Sequence, residues 1–231
     1  HHVTSTTRGD NRRSGAQSVA RALSVLTCFE TAPGDLGVTE IANRTGLTIS
    51  TSHRLARALC AGGLLTQDPR TERYRLGPAL VVLGRRADEQ LGYGQALPIL
   101  ESLATSTGES INLGIRAGSD VLVVLAVASS HPLRFHQEVG ARIPLHTSAM
   151  GKCLLAYTTD PASEIADLAL DAVTERTITA PADLLDELHL ARERGWAIND
   201  EERNPGVRAV AVPVLGPDTL AVGAIAVQGP A

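Results

Sequence analysis

Apolar residues in the N-terminal part of the chain recur every three or four positions, a spacing that predicts amphipathic helices. The first helix presents five of them on one face: Val19, Ala22, Leu23, Leu26 and Phe29. A second helix is predicted from Thr39 to Thr45, and a third opens at Thr48. Helices this short are stabilised mainly by packing, so we expect the three to share one small core.

The corner between the second and third helices is built from small and turn-forming residues. Ala42 lets the two helices approach, and Gly46 can take the left-handed conformation that ends a helix without a Cβ penalty. Leu47 supplies a buried pivot, and Thr48 can cap the third helix through its hydroxyl. This pattern predicts a helix-turn-helix, whose second helix can enter the DNA major groove.

The third helix has two chemically different faces. Its predicted apolar face comprises Leu55, Ala58 and Leu59. Its polar face comprises Ser50, Arg54 and Arg57, with His53 beside them. Arginine can fork onto guanine or clamp a phosphate, and short hydroxyls can reach base edges. The alternative is an ordinary solvated helix surface.

A hairpin is predicted directly after these helices. The run Leu64 to Asp68 and the run Tyr74 to Leu76 flank a turn-prone segment at 69–73. Two short extended runs around a polar turn indicate the wing of a winged helix-turn-helix. Arg70, Arg73 and Arg75 would then lie near a DNA backbone.

The rest of the chain begins with a connecting helix, Ala79 to Leu91, followed by a flexible segment at Gly92 to Gly94. Further helices are predicted at Pro98 to Thr107, Ala149 to Tyr157, Ser163 to Leu170 and Asp183 to Arg194. Strands are predicted at Ile111 to Ile115, Val121 to Ala128, Leu133 to Val139, Ala209 to Leu215 and Leu220 to Val227. This order indicates an antiparallel sheet with helices on its faces, an architecture typical of small-molecule sensors.

Length and charge support a division into parts. The 231 residues suit two domains, and 43% hydrophobic content is ample for two cores. Residues 1–90 hold 12 Arg and 8 acidic residues, net +4, whereas residues 91–231 are net −8. A positive part beside an acidic remainder is expected when only one part meets a polyanion. We predict a tag remnant or disordered arm at 1–14, a DNA-binding domain at 15–77, a linker helix at 78–94 and an effector domain at 95–231.

Compartment and redox state follow from what the sequence lacks. We see no secretory signal and no apolar run approaching the ~20 residues of a membrane span. Cys28, Cys60 and Cys153 are odd in number and lack metal-binding spacing, so we expect reduced thiols in a cytoplasmic protein, with no metal and no cofactor.

The segment from Gly140 to Lys152 is the most suggestive for ligand chemistry. Thr147 or Ser148 can cap the helix that follows, which would leave the amides of Ala149, Met150 and Gly151 free to bind an anion. The alternative is a capped helix whose amides are met by side chains or water. Lys152, the only lysine, fits a structural role as well as a ligand contact.

At this point the chain resembles the IclR family of bacterial transcriptional regulators, over residues 17–230. The matching segments are Ser18 to Leu26, Thr39 to Ala42, Thr45 to Leu47, Ser50 to Leu55, Tyr74 to Gly77, Gly140 to Lys152 and Arg194 to Pro213. The resemblance implies a mixed α/β (α+β) chain with a winged helix-turn-helix, a linker helix and a GAF-like effector domain. It also implies homodimers through the DNA-binding domains, with homotetramers common.

The sequence and the resemblance together give two predicted sites. The DNA-binding set is Thr48, Ser50, Thr51, His53, Arg54, Arg57, Arg73 and Arg75. The ligand-binding set is Phe135, Ala149, Met150, Asp200, Glu201, Ala209, Ala226 and Gln228. The family often has cysteine at position 209 and, in small-acid sensors, serines at 226 and 228. Their loss makes the pocket floor more apolar, which favours a bulkier or aromatic acid.

We therefore predict a regulator that binds operator DNA and responds to a small organic acid, with the linker helix carrying the response. Two alternatives stay open. One is an oligomeric DNA-binding scaffold without an effector. The other is a hydrolase that uses Cys153 and His146, although no orienting acid is evident and the Gly-x-Ser-x-Gly motif is absent.

Overall fold

The computed structural model describes residues 7–131, 134, 135 and 137–231. The chain divides into two compact units, with the boundary between Leu91 and Gly92. Of the arm predicted at 1–14, residues 1–6 lie outside the described residues, and 7–14 form the first turns of a helix. No helix in the described part of the chain combines the length and the apolar character that a membrane span requires.

The first unit is a three-helix core with a hairpin and a trailing helix. Its helices are α1 (Thr7–Thr27), α2 (Val38–Thr45), α3 (Ile49–Ala61) and α4 (Ala79–Leu91), and its strands are β1 (Leu65–Gln67) and β2 (Tyr74–Leu76). The strands pair antiparallel, and Leu36 adds an isolated bridge to Tyr74. These elements confirm the predicted helix-turn-helix, wing and connecting helix.

The core of this unit differs from the predicted one by a rotation of two helices. On α1, Val25 and Phe29 are buried, whereas Val19 and Leu23 are 60% and 54% exposed. On α3, the buried side is formed by Ser52, Ala56 and Leu59, and Ala58 is exposed. The helical period was right in both cases, but the apolar residues on each helix allow two neighbouring stripes, and packing selects one.

The second unit is a six-stranded antiparallel sheet with helices on both faces. Its helices are α5 (Tyr93–Thr107), α6 (Ala149–Ala156), α7 (Pro161–Ala166) and α8 (Pro181–Arg194). Its strands are β3 (Ser110–Ala117), β4 (Asp120–Val127), β5 (Arg142–Pro144), β6 (Ala197–Asp200), β7 (Val207–Leu215) and β8 (Ala221–Pro230). The order across the sheet is β5-β4-β3-β8-β7-β6.

Strand alternation divides the side chains of this sheet between two cores. Ile111 and Leu113 of β3 pack with Leu100 of α5 on one face. Val121 of β4, Ala209 of β7 and six of the eight residues of α6 belong to the core on the other face. Because α6 has no exposed residue, its N-terminus lies inside the unit.

Several element boundaries differ from the predictions. α5 begins at Tyr93, so the segment Gly92 to Gly94, predicted to be flexible, is the start of a helix. The described residues of the run Leu133 to Val139 form no strand, and Leu133 itself lies outside the described residues. The short strands β5 and β6 were missed, because three or four residues are too few to establish a period of two.

Candidate functional site

The exposed face of α3 carries the predicted DNA-contacting side chains. Ser50, His53, Arg54 and Arg57 are all exposed. Neither arginine forms an ion pair with a described residue. The guanidinium groups of Arg54 and Arg57 are therefore available to a partner from outside the chain.

The start of α3 is capped by Thr48, as predicted, and the Thr51 hydroxyl pairs with it. The amide of Thr51 donates to Thr48 Oγ1 at 3.2 Å, and the Thr48 hydroxyl donates to Thr51 Oγ1 at 2.9 Å. Gly46, at φ 69°, ends α2 in the left-handed conformation predicted for it. The structure thus gives Thr48 and Thr51 a positioning role at the corner.

The wing arginines are held within the unit. Arg73 donates to the carbonyl of Asp35 at 2.6 Å and lies 2.7 Å from Glu40 Oε2. Arg75 lies 3.7 Å from a carboxylate oxygen of Asp35 and 3.6 Å from one of Asp68. Arg73 therefore links the wing to α2, and Arg75 is half-exposed and loosely paired.

The start of α6 is the predicted anion-binding corner. Ser148 caps it by accepting a hydrogen bond from the amide of Gly151 at 2.9 Å, so that amide is satisfied within the protein. Position 151 requires glycine, since a Cβ there would lie 2.1 Å from the carbonyl oxygen of Leu145. The first two amides of the helix, those of Ala149 and Met150, have no intrahelical acceptor.

A cavity opens beside these two amides. The space between atoms there amounts to about 330 Å³, part of which is open solvent. Six of the eight predicted ligand-binding residues line it: Phe135, Ala149, Met150, Ala209, Ala226 and Gln228. They come from a loop, a helix start and two neighbouring strands, and the fold brings them together.

Asp200 and Glu201 lie outside this lining. Asp200 is bound by Arg208 and by Arg176 at 2.7 Å, and the hydrogen bond from Arg208 is the main reason that its pKa is lowered. Glu201 accepts a hydrogen bond from the amide of Gly206 at 2.8 Å. Adjacent residues of a strand point to opposite faces, so the cavity receives Asn199 in place of Asp200.

Lys152 is a structural residue in this fold. Its side chain is only 1% exposed, and its ammonium group donates to Glu202 Oε1 at 2.6 Å and to the carbonyl of Ile198 at 2.9 Å. It does not line the cavity. Of the two roles that the sequence left open, the buried ion pair is the one observed.

Arg203 is one of several lining residues that were not predicted from the sequence, and it is the only charged one among those described. Its Nη1 atom is buried and has no hydrogen-bond acceptor among the described residues, and burial lowers its pKa. In the sequence it follows Asp200, Glu201 and Glu202, which makes it look like one more charge in a solvated turn. Only the fold shows that it faces the cavity.

Comparison with known proteins decides the family. Residues 93–231 match the model for the C-terminal part of the bacterial transcriptional regulator IclR, and residues 18–69 match the IclR helix-turn-helix domain. The chain belongs to the IclR family. A glycerol operon regulatory protein from Streptomyces griseus is 37% identical to it, over 93% of this chain and 85% of that protein.

Solved structures of IclR proteins share the whole fold. An IclR transcriptional regulator from Alicyclobacillus acidocaldarius is 31% identical with a TM-score of 0.82, over 93% of this chain and 88% of that one. An IclR homologue from Microbacterium hydrocarbonoxydans, crystallised with 4-hydroxybenzoate, is 25% identical with a TM-score of 0.82, over 92% and 89% of the two chains. They confirm the predicted fold and a regulator with DNA-binding and effector-binding domains.

In this IclR-family chain, the pair considered for hydrolysis is poorly placed for nucleophilic chemistry. Cys153 is fully buried, which raises the pKa of its thiol to about 12, and the thiol donates to the carbonyl of Ala211 at 3.2 Å. His146 lies with Nε2 3.0 Å from the carbonyl oxygen of Asp171. A reactive cysteine needs an accessible thiolate at neutral pH, and Cys153 provides neither feature.

Proposed function

We propose that this IclR-family regulator binds a small organic acid in the cavity at the start of α6 and changes its affinity for operator DNA in response. The observation that carries the proposal is a helix start beside a cavity: Ala149 and Met150 line the cavity, and their amides have no intrahelical acceptor. Among the described residues that line this cavity, none carries a carboxylate. The N–H donors of a helix start favour an anion, and no acid among the described lining residues opposes it.

The walls of the cavity favour an acid with an apolar body. Phe135, Ile143 and Val207 line it beside the alanines at 209 and 226. The related IclR homologue crystallised with 4-hydroxybenzoate shows that an aromatic acid can be bound by this fold. We therefore propose a single-ring aromatic acid or a short aliphatic acid as the effector.

Thermal denaturation with a panel of aliphatic and aromatic acids tests this proposal, with the corresponding primary amides as uncharged controls. We expect at least one acid to raise the melting temperature and its amide to leave it unchanged. The variant Ala226→Leu fills the cavity floor and should abolish the shift. If no acid stabilises the protein, the sensor proposal is wrong and an effector-independent scaffold becomes the better account.

For the DNA interface, we propose that α3 supplies base and phosphate contacts through Arg54 and Arg57. Alanine at Arg54 should weaken operator binding by about 1–3 kcal/mol, the usual contribution of a bidentate arginine contact. Effector affinity should stay the same, because Arg54 belongs to the other unit. The exposed Arg142 of β5 provides the matched control: Arg142→Ala should bind operator as the wild type does. Equal operator affinity for Arg54→Ala would contradict the assignment.

We further propose a homodimer formed through the DNA-binding unit. Apolar side chains are exposed on α1, at Val19 and Leu23, and on α4, at Val81, Val82 and Leu83. Exposed apolar surface of this kind marks an interaction site in soluble proteins. Leu23→Glu should shift the mass in solution toward the monomer, measured by light scattering. Arg21→Glu, at a neighbouring exposed polar position of the same helix, is the control and should leave the mass unchanged.

We also propose that the protein works in the cytoplasm, because a regulator of this kind binds chromosomal operators. We also propose no enzymatic activity, since the buried and protonated thiol of Cys153 was the best nucleophile that the sequence offered.

A further inference from the structure

We infer that Arg203 binds a second anionic group of the effector, so that the regulator prefers a dianionic acid to a monocarboxylate with the same carbon skeleton. This inference rests on the proposed sensor function and names the chemical class that the cavity selects. The first anionic group would occupy the α6 amides, and the guanidinium of Arg203 would hold the other.

The first observation is a half-buried cation at the cavity, whose buried Nη1 atom lacks a partner among the described residues. Arg203 lines the cavity, and its Nη1 atom has no acceptor among the described residues. A guanidinium cannot be deprotonated in a protein, and a buried charge without a partner is strongly unfavourable. By contrast, Arg176 and Arg208 both bind Asp200. The fold therefore provides carboxylates for nearby arginines and none for the one at the cavity.

The second observation is a set of buried polar side chains on the same wall. Gln228 is only 5% exposed, lines the cavity, and its Nε2 donor has no acceptor among the described residues. Asn112 is fully buried and pairs across the sheet with the lining residue Ala226, and neither of its side-chain polar atoms has a partner in the described part of the chain. Buried polar groups are normally hydrogen-bonded, so this wall is built to bind polar atoms of a ligand.

The donors are more than one carboxylate can use. The amides of Ala149 and Met150 can already engage the two oxygens of one carboxylate at the helix start. The fork of Arg203 and the amide of Gln228 require further oxygen atoms. Gln137 Oε1, a buried acceptor that also lines the cavity, allows for a hydroxyl on the same ligand. A second carboxylate satisfies the unpaired charge, which a neutral oxygen does not.

Calorimetry with matched acids tests the inference: butyrate against succinate, and benzoate against terephthalate. Wild-type protein should bind the diacid of at least one pair about tenfold more tightly or better. Arg203→Met should weaken that diacid by about 10- to 100-fold, the loss expected for one charge-assisted contact, while the monoacid changes by less than about threefold. Arg203→Lys, which keeps the charge but loses the fork, should retain part of the preference. Arg208→Met is the matched control and should change neither acid.

Stability without ligand separates binding from a structural role. Arg203→Met removes a half-buried charge whose Nη1 atom lacks a partner among the described residues, so the melting temperature of the free protein should stay the same or rise. A clear fall, with mono- and diacids weakened equally, would overturn the inference. Equal affinity of wild type for both acids of each pair would also overturn it while leaving the sensor function intact. If no acid in the wider panel binds at all, the proposed function itself fails.

Discussion

At the scale of single residues, two cations of the second unit, one fully buried and one half-buried, behave in opposite ways. Lys152 has a carboxylate at 2.6 Å, and Arg203 has none among the described residues. A paired buried charge maintains the fold, whereas an unpaired one that faces a cavity is available for binding. The ion pair of Lys152 could not be read from its neighbours in the sequence, since its partner Glu202 lies fifty positions away.

Removing Lys152 should be among the most destabilising single changes in the second unit. Lys152→Met leaves Glu202 buried at 7% exposure without its cation, which should cost about 3–5 kcal/mol in the free energy of unfolding. The double variant Lys152→Met/Glu202→Leu replaces both charges by apolar groups and should recover most of that loss. Urea denaturation of the three proteins measures the coupling. A double variant no more stable than Lys152→Met would contradict the assignment of a buried pair.

Ser52 offers a change in the opposite direction. Its side chain is fully buried in the first unit, and Oγ has no hydrogen-bond partner among the described residues. Ser52→Ala removes this unsatisfied hydroxyl and should raise the free energy of unfolding by about 1 kcal/mol. The exposed Ser50→Ala gains only the smaller helix-propensity difference between serine and alanine and is the control. Thermal unfolding that shows Ser52→Ala less stable than wild type would mean that the hydroxyl has a partner.

Which site residues could be predicted depended on how local their signals are. The amides of Ala149 and Met150 follow from a helix start with a serine before it, a pattern contained in a few residues. The resemblance assigned Asp200 to the ligand site, whereas Asn199 is the residue of β6 that lines the cavity; strand parity decides between the two, and a shift of one residue reverses every side chain. The strand β6 is too short to reveal its own parity, so the sequence could not make that choice.

At the scale of elements, the corner of α2 and α3 was predictable because the residues that determine it lie close together in the sequence. Gly46 sets the turn, and Thr48 caps the next helix, within three positions of each other. The packing face of α1 was not predictable, since Val19 and Val25 are equally apolar and only the tertiary partner distinguishes them. Local chemistry thus determines where helices begin and end, while packing determines which stripe is buried.

The link between α2 and the wing should be visible in the pH dependence of stability. The backbone amide of Gly37, and then Arg73, hold the pKa of Glu40 below its ordinary value of 4.5. The ionised carboxylate therefore stabilises the fold at pH 4.5 and above, and this contribution is lost as the pH falls through the folded-state pKa. The stability difference between wild type and Glu40→Gln should be largest above pH 4.5 and shrink below it.

Melting temperatures across pH 3 to 7 would measure this effect. The exposed Glu30 forms no hydrogen bond or ion pair through its carboxylate with a described residue, so Glu30→Gln is a suitable control. Its difference from wild type should vary little over the same range. A difference for Glu40→Gln that grows toward acid pH would have the wrong sign for this interaction.

At the scale of the whole molecule, the two units are joined through α4, which has no buried residue. An isolated helix of 13 residues is marginal in water, so the helicity of α4 depends on its own propensity or on a partner. Any response that passes from the cavity to α3 along the chain must cross this segment. Coupling between the two sites should therefore depend on whether α4 is helical, even though α4 contributes nothing to either site.

Gly84, in the interior of α4, provides a matched pair of variants for this idea. Nothing lies within 4 Å of a Cβ built there, so Gly84→Ala should fit and strengthen the helix by about 1 kcal/mol, while Gly84→Pro should break it. By linkage, the factor by which an effector changes operator affinity equals the factor by which operator changes effector affinity. We expect that factor to fall toward one in Gly84→Pro and to be kept in Gly84→Ala.

Fluorescence anisotropy on operator DNA, with and without the acid found in the stability screen, measures how the effector changes operator affinity. Calorimetry with and without operator measures how the operator changes effector affinity. Intrinsic effector affinity without DNA should be the same in both variants, and full coupling in Gly84→Pro would rule out α4 as the route.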